Sequence, residues 1–250
     1  MQKIYFTSDL HFGHENAIRF DHRPFKTVEE MDAELIRRWN AKVGKGDLVY
    51  VLGDMIWKTR NGVAADLIKS LNGQIILIKG NHDRFLHNAN AKNALAGLKD
   101  YDDICVTLEN GSQYRCILSH YFMPFYNGHY RNAIHLHGHS HNTEEHRYEM
   151  FISAHMTNRG INNRIFNVGC MHWDYEPVTL DEILAKELSK EEKEAEWREI
   201  KKHFNECIGQ NKIRTWNDYK EYVEDSDPTA AELISEAEDE AEAFTGGQKE

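Results

Sequence analysis

An α/β fold with a helical C-terminal extension is predicted by three features of the sequence. Short apolar runs at Ile4–Ser8, Leu48–Leu52 and Ile75–Ile78 read as buried strands, separated by stretches with helical spacing of apolar residues. A strand, helix, strand, helix, strand order of this kind favours a parallel sheet in the first half. Beyond residue 180 the chain becomes Lys/Glu-rich, which marks a boundary and a change of architecture.

The first strand runs directly from Met1-Gln2-Lys3 and ends on Asp9-Leu10-His11. Residues 9–24 are expected to form a loop carrying His11, His14, Glu15, Asn16, Arg19, His22 and Arg23. Apolar residues at Met31, Leu35, Ile36 and Trp39 predict a helix over Glu29–Lys42, ended by Gly44. The second strand leads into Gly53-Asp54, a short helix is expected over Val63–Leu71, and the turn signal Asn72-Gly73 precedes the third strand. That strand ends on Gly80-Asn81-His82-Asp83, so three apolar strands each deliver metal-capable or titratable side chains to one sheet edge. Crevices beyond the carboxyl ends of such strands are where α/β folds hold ligands.

A helix is predicted over Ala89–Leu98, and a hairpin pairs Ile104–Leu108 with Gln113–Leu118 across Glu109-Asn110-Gly111-Ser112. Here the pattern changes to sheet on sheet. Strand Cys116–Leu118 ends on Ser119-His120, strand Ala133–Leu136 ends in the histidine tract, and Arg164–Val168 closes on Gly169. After Pro177-Val178-Thr179-Leu180, helices are predicted over Asp181–Cys207, Thr215–Glu224 and Pro228–Phe244. The expected organisation is therefore a catalytic domain over residues 1–180 and an acidic extension over residues 181–250.

The 250 residues allow one sizeable domain with an appendage. The formal charge of −11 lies wholly in residues 181–250, which hold 21 acidic and 10 basic residues; the remainder is balanced. A balanced body with an acidic tail is a poor electrostatic footprint for long nucleic acid. Cys105, Cys116, Cys170 and Cys207 are scattered with no Cys-x-x-Cys spacing, so neither a cysteine zinc site nor a disulfide framework is indicated. No apolar run reaches membrane-spanning length and no leader-like segment precedes the first strand, so a soluble cytoplasmic protein is expected. Seven of the fifteen histidines fall within residues 120–146, several at alternate positions in His135-Leu136-His137-Gly138-His139-Ser140-His141, and such a tract points to metal.

In extended chain residues i and i+2 share a face, so Asp9 and His11 are expected to form one metal-gripping pair and His139 and His141 another. Carboxylate, carboxamide and imidazole together suit borderline divalent ions, with no preference for a thiolate metal. Asp54 can bridge two ions through its two oxygens. Trp39, Trp57, Trp173 and the aromatics from Tyr121 to Tyr126 read as packing, with Phe122, Phe125 and Tyr126 near enough to His120 to line a pocket. His22, His129, His135, His137 and His172 read as supporting, core or solvated histidines.

These residues resemble the calcineurin-like metallophosphoesterases, which carry Asp-x-His, Gly-Asp, Gly-Asn-His-Asp, a lone His and Gly-His-x-His in that order. Here the motifs are Asp9-Leu10-His11, Gly53-Asp54, Gly80-Asn81-His82-Asp83, His120 and Gly138-His139-Ser140-His141. The flanking His14-Glu15-Asn16, Arg23-Pro24-Phe25, Arg38-Trp39-Asn40 and Trp173-Asp174-Tyr175-Glu176-Pro177-Val178 resemble a small subgroup found in bacteria and their phages. The resemblance implies two mixed sheets packed as a sandwich and flanked by helices. It implies two divalent ions, manganese first among iron, nickel, cobalt and zinc. Asp9, His11, Asp54 and His141 would hold one ion, and Asp54, Asn81, His120 and His139 the other.

By the same resemblance His82 is the catalytic histidine, with Asp83 as its partner, and the reaction is phosphoester hydrolysis. Arg23 and Arg84 are candidates for gripping a phosphate oxygen, and His14 and Asn16 for other substrate contacts. The balanced body favours a small or nucleotide-like diester over a polymer. A nuclease or monoesterase activity, or a noncatalytic module that docks a protein partner or a second copy through the acidic extension, are the alternatives.

Overall fold

The computed structural model describes residues 2–57, 63–161 and 164–187, and positions 192, 195, 198 and 202. The chain divides into two compact units, Met1–Trp197 and Arg198–Glu250. The helices predicted over Thr215–Glu224 and Pro228–Phe244, and most of the one over Asp181–Cys207, lie outside the described residues.

The first sheet contains β1 (Ile4–Thr7), β2 (Leu48–Val51), β3 (Gln74–Ile78), β4 (Gly97–Lys99) and β9 (Val178–Thr179), in the order β4-β3-β2-β1-β9. Its first four strands are parallel, and β9 pairs antiparallel with β1. The second sheet has the order β5-β6-β7-β8, formed by β5 (Asp102–Thr107), β6 (Gln113–Leu118), β7 (Ile134–His137) and β8 (Ile165–Asn167). The hairpin β5-β6 is antiparallel, while β6, β7 and β8 run parallel. Both sheets are thus mixed, and the apolar runs of the first sheet are near-continuous because both of its faces are covered.

Strand alternation separates two cores. Phe6, Tyr50, Leu52 and Ile78 point inward and pack with Leu118, Ile134, Leu136 and Val168 of the second sheet. Their neighbours Tyr5, Val49, Val51, Ile75 and Leu77 pack on the other face against Met31, Leu35 and Trp39 of α2 (Val28–Lys42) and Ala64 and Ile68 of α3 (Val63–Ser70). Helix α2 presents those three residues at i, i+4 and i+8, and its first turn is capped by the Thr27 side chain, which accepts from the Glu30 N–H.

Three predicted boundaries are corrected. Residues 9–24 are not all loop, since α1 (Glu15–Phe20) forms there; it buries only Ala17, so it has no periodicity to detect. The helix expected over Ala89–Leu98 is the short α4 (Ala89–Ala94), after which Gly97 and Leu98 join the sheet edge as β4. Helix α5 (Glu144–Asn158) was not anticipated, because among its described side chains only Glu149, Ala154 and Met156 are buried. Finally, α6 (Leu180–Ala185) opens with a capping box from Thr179 and Glu182 and buries Leu180 and Ile183 in the intersheet core. The first compact unit therefore continues past residue 180.

Candidate metal centre

The carboxyl ends of β1, β2, β3, β6 and β7 converge, and the polar residues that follow them meet there. Asp9, His11, Asp54, His139 and His141 all adopt left-handed backbone conformations, with φ between 45° and 74°. Asp and His tolerate this region better than most residues, though it carries a strain of about 1–3 kcal/mol per position. The expected face-sharing of extended pairs therefore does not apply. Asp9 and His11 do meet, with His141, in one cluster whose ligand atoms all lie within 4.8 Å of one another. His139 turns away from His141 and forms the second cluster with Asp54 and His120, within the same limit.

Asp54 lies between the clusters: its Oδ2 is 3.8 Å from His11 Nε2 and 3.5 Å from His120 Nε2. Asn81 Oδ1 adds to the second cluster at 3.0 Å from His120 Nε2. Close approach is built in by glycine. A Cβ on Gly53, whose φ is +96°, would run into the His120 ring, and one on Gly138 would strike Ser8 and the Asp9 carboxylate.

The site fits divalent cations on its own chemistry. Asp9 Oδ1 is buried with no hydrogen-bond partner, and His11 Nε2 faces His141 Nε2 at 3.1 Å, an arrangement that a shared cation would satisfy. The nearby Cys170 is a buried thiol, pushed up to about 12 by burial, so the donors are nitrogen and oxygen. Burial lowers the His11 pKa well below its usual value, helped by the charges of His141 and Arg23. His120 is driven the other way: burial opposes its charge, but the Asp54 hydrogen bond and the Asp9 and Asp54 charges raise it to about 9.

Supporting contacts orient these groups. His141 Nδ1 is held by Asp21 at 2.8 Å, and His120 Nδ1 by the Leu52 carbonyl at 2.7 Å. The His139 N–H donates to Asp9 Oδ2 at 3.0 Å, joining the two clusters through the backbone. Asp83 is fully enclosed: its carboxylate accepts the N–H groups of Gly80 (2.8 Å), Asp54 (3.1 Å) and Met55 (2.8 Å), tying the loop after β3 to the loop after β2. Burial pushes its carboxyl up to about 6 despite those donors. Asp83 thus shapes the two loops and spends its oxygens on backbone.

The predicted substrate-binding residues separate. Arg23 is a correction: its side chain is fully buried, donating to Asp21, to the Asp9 carbonyl (2.8 Å) and to the Leu10 carbonyl (2.9 Å). A guanidinium spent on those carbonyls holds the first cluster's loop and does not reach substrate. Arg84 is exposed at the start of a short 3-10 helix, Arg84–His87. Asn16 is part-exposed and accepts from Arg19 at 2.8 Å. His14 is buried, with neither ring nitrogen hydrogen-bonded, and lies face to face with Trp57 at 3.8 Å. His82 donates its N–H to Asp54 Oδ1 at 2.9 Å and packs its ring on Trp57 at 4.5 Å.

His135 and His137 occupy neither cluster; they point to the outer face of the second sheet and bond to the carbonyls of Ile117 and Gly138. Phe122 packs on His137, Phe125 is exposed beside His129, and Tyr126 is buried. Of the aromatics from Tyr121 to Tyr126, the one beside the ligand histidines is Tyr121, half-exposed with its ring 4.9 Å from His120 and 4.6 Å from His139, while Phe20 lies 5.2 Å from His141. Asp21 and Trp57 were missed as site residues by sequence reasoning. The one available signal for Asp21 was the need of a ligand histidine for a partner on its second nitrogen.

Known proteins place this arrangement. The chain is 50% identical over 86 residues to an uncharacterized protein of Methanocaldococcus jannaschii, a match covering 34% of this chain and 49% of that protein. It is 40% identical over 85 residues to the Gene 66 protein of Mycobacterium phage L5, covering 33% of this chain and 41% of that protein. Those matches span about half the length of these two relatives, or less. The Gene 66 protein of Mycobacterium phage D29 is 28% identical over 208 residues, 73% of this chain and 94% of that protein. The crystal structure of a protein of unknown function from Aquifex aeolicus shares the fold, with a TM-score of 0.55 and 22% identity over 74% of this chain and 99% of that one. Residues 2–211, which take in every strand among the described residues and both ligand clusters, match the calcineurin-like phosphoesterase family, and the chain belongs to that family.

Proposed function

We propose that this chain hydrolyses a phosphodiester of small or nucleotide-like character with two divalent ions, manganese first. The observation that carries the reading is the pair of ligand clusters, one containing Asp54 and the other reaching to within 3.8 Å of it through His11, with His82 anchored to that same carboxylate. Asp9, His11, Asp54 and His141 would hold one ion, and Asp54, Asn81, His120 and His139 the other. Bound there, the ions would lower the pKa of a water and draw charge from the phosphoryl oxygens.

The chain's own groups do the rest. Asp54 accepts the His82 N–H and so anchors that residue beside the clusters, and the His82 imidazole would give a proton to the leaving oxygen as its bond to phosphorus breaks. Water supplies the new P–O bond, and its released proton is returned to solvent, from which His82 is recharged. Arg84, which is exposed, would grip a nonbridging oxygen, and Asn16 would contact the substrate. The balanced charge of residues 1–180 supports a small substrate, since a polymer would favour a basic groove.

No helix among the described residues is long and apolar enough to cross a membrane. A cytoplasmic setting, and a role for residues 181–250 in contacting a protein partner or a second copy, belong to this proposal.

The test is a screen of the metal-reconstituted protein against diesters, monoesters, cyclic nucleotides and oligonucleotides, with His82→Ala alongside. Diester turnover that falls about 10²–10⁴-fold in His82→Ala with both metals retained is expected. Unchanged turnover in His82→Ala removes the histidine from the chemistry. Preference for oligonucleotides with steep salt dependence turns the reading to a nuclease.

A further inference from the structure

Over residues 144–151 of helix α5, which follows the His139–His141 turn, the one buried residue is Glu149. A carboxyl is costly to bury and is kept only with partners. Glu145 and Glu149, one turn apart on the same face of α5, both reach the ligand turn: Glu145 Oε2 lies 3.7 Å from His139 Nε2, and Glu149 Oε2 accepts from the buried Ser140 hydroxyl at 2.6 Å. Ser140 Oγ accepts in turn from Asn167 Nδ2 of β8 at 3.0 Å, and Asn167 Oδ1 accepts the Gly169 N–H at 2.7 Å. The Ser140 carbonyl takes the hydroxyl and the N–H of Thr143 at the start of α5. His146 places Nδ1 3.4 Å from the same Glu149 oxygen and packs its ring on His172 at 4.6 Å.

We propose that Glu149 is a positioning residue of the metal centre: through Ser140 it holds the turn that sends His139 to one ligand cluster and His141 to the other. Both histidines have left-handed backbones, with φ of 74° and 45°, and such conformations persist only where surrounding contacts over-determine them. Ser140 stands between the two, and its hydroxyl is where α5 and β8 close on the turn from two sides. Release of that hydroxyl lets the turn relax, and the two imidazoles move together. Asp21 differs in holding the His141 ring, a member of the first cluster alone. This inference rests on the reading that the clusters hold divalent ions, and it extends that reading to a residue outside the ligand set and outside the motifs that carry the family resemblance.

The signature is a joint loss at both sites. In calorimetric titrations of the metal-free full-length protein with Mn(II), Glu149→Leu should weaken both sites by about 10- to 100-fold, the scale for groups that orient metal ligands from behind. Ser140→Ala should weaken the same two sites. The double variant of Ser140→Ala with Glu149→Leu should lose little beyond either alone, because the two side chains act through one hydrogen bond. Glu149→Gln keeps an acceptor for the hydroxyl and should recover most of the affinity. Mn(II) EPR, in which a coupled pair and a lone ion give different spectra, follows formation of the pair without any turnover.

Melting temperature in EDTA, measured on every variant, separates the two roles, since a merely stabilising contact lowers it and leaves the affinities of the folded protein unchanged. If Glu149→Leu is poorly folded, Ser140→Ala and Glu149→Met, which keeps the length of the side chain, carry the comparison. Loss at one site alone, affinities kept despite a lowered melting temperature, or fully additive losses in the double variant overturn the positioning role. Wild-type protein that takes up no Mn(II) instead overturns the metal reading itself, and this inference with it.

Discussion

The buried pair of Asp21 and Arg23 gives the sharpest stability expectation. Both side chains are 0% exposed and 2.8 Å apart, and Asp21 also holds His141 Nδ1. Burial opposes the Asp21 charge, yet the His141 and Arg23 charges and hydrogen bonds outweigh it and bring its pKa from 3.8 to about 2. That depression of nearly two units corresponds to about 2.5 kcal/mol, present above pH 4 and lost as pH falls towards 2, because the unfolded carboxyl takes up its proton first. Asp21→Ala goes further, leaving the Arg23 guanidinium buried without a carboxylate, beside the carbonyls of Asp9 and Leu10 and the Met31 sulfur, and breaking such a pair costs about 3–5 kcal/mol. Asp21→Asn keeps an acceptor and should cost about half as much. The assay is thermal unfolding in EDTA, where His141 is free to carry its proton; a loss of about 3 kcal/mol lowers Tm by about 6–12 °C. Metal titration should show the first site weakened about 10- to 100-fold and the second nearly unchanged. A Tm drop under about 2 °C, or equal weakening of both sites, would refute the argument that this pair is what holds the first cluster.

Gly138→Ala places a methyl against Ser8 and the Asp9 carboxylate, so it should destabilise by about 1–3 kcal/mol and lower first-site metal affinity, read by the same titration. Asp32 behaves in the opposite sense to Asp21: burial raises its carboxyl from 3.8 to about 6, only partly countered by the Gly13 N–H that it accepts. Its folded form keeps the proton longer than the unfolded chain, so stability falls as pH rises from about 4 to about 6. Asp32→Asn should therefore gain about 1–2 kcal/mol at pH 7–8, after allowance for its partial exposure, and nothing below pH 4, as urea midpoints at the two pH values will show.

The ligand residues could be read from the sequence because each follows an apolar strand directly, and a parallel sheet brings such strand ends together whatever the details of the loops. The clusters at Asp9, His11 and His141 and at Asp54, His120 and His139 follow from that placement. What the motifs do not carry is backbone hand. Asp and His enter left-handed conformations with modest strain, so the residue types in Asp9-Leu10-His11 and His139-Ser140-His141 do not by themselves betray the turn that puts His139 and His141 in different clusters.

The supporting residues were unreadable for a different reason: their partners lie far away in the chain. Asp21 holds His141 across 120 positions, and Trp57 packs on His14 and His82 from a loop whose sequence reads as ordinary packing. Arg23 illustrates the same limit from the other side. A guanidinium in a polar loop of a phosphoester-handling site invites assignment to phosphate, yet the carbonyls of Asp9 and Leu10 turn inward and need donors. A buried donor with five N–H groups satisfies both carbonyls and Asp21 at once, which no lysine could do with comparable geometry. A loop whose backbone is bent to present metal ligands leaves its own carbonyls to be satisfied from behind. An arginine two residues after an aspartate on the neighbouring segment is the first place to look for that donor, before it is counted as a substrate contact.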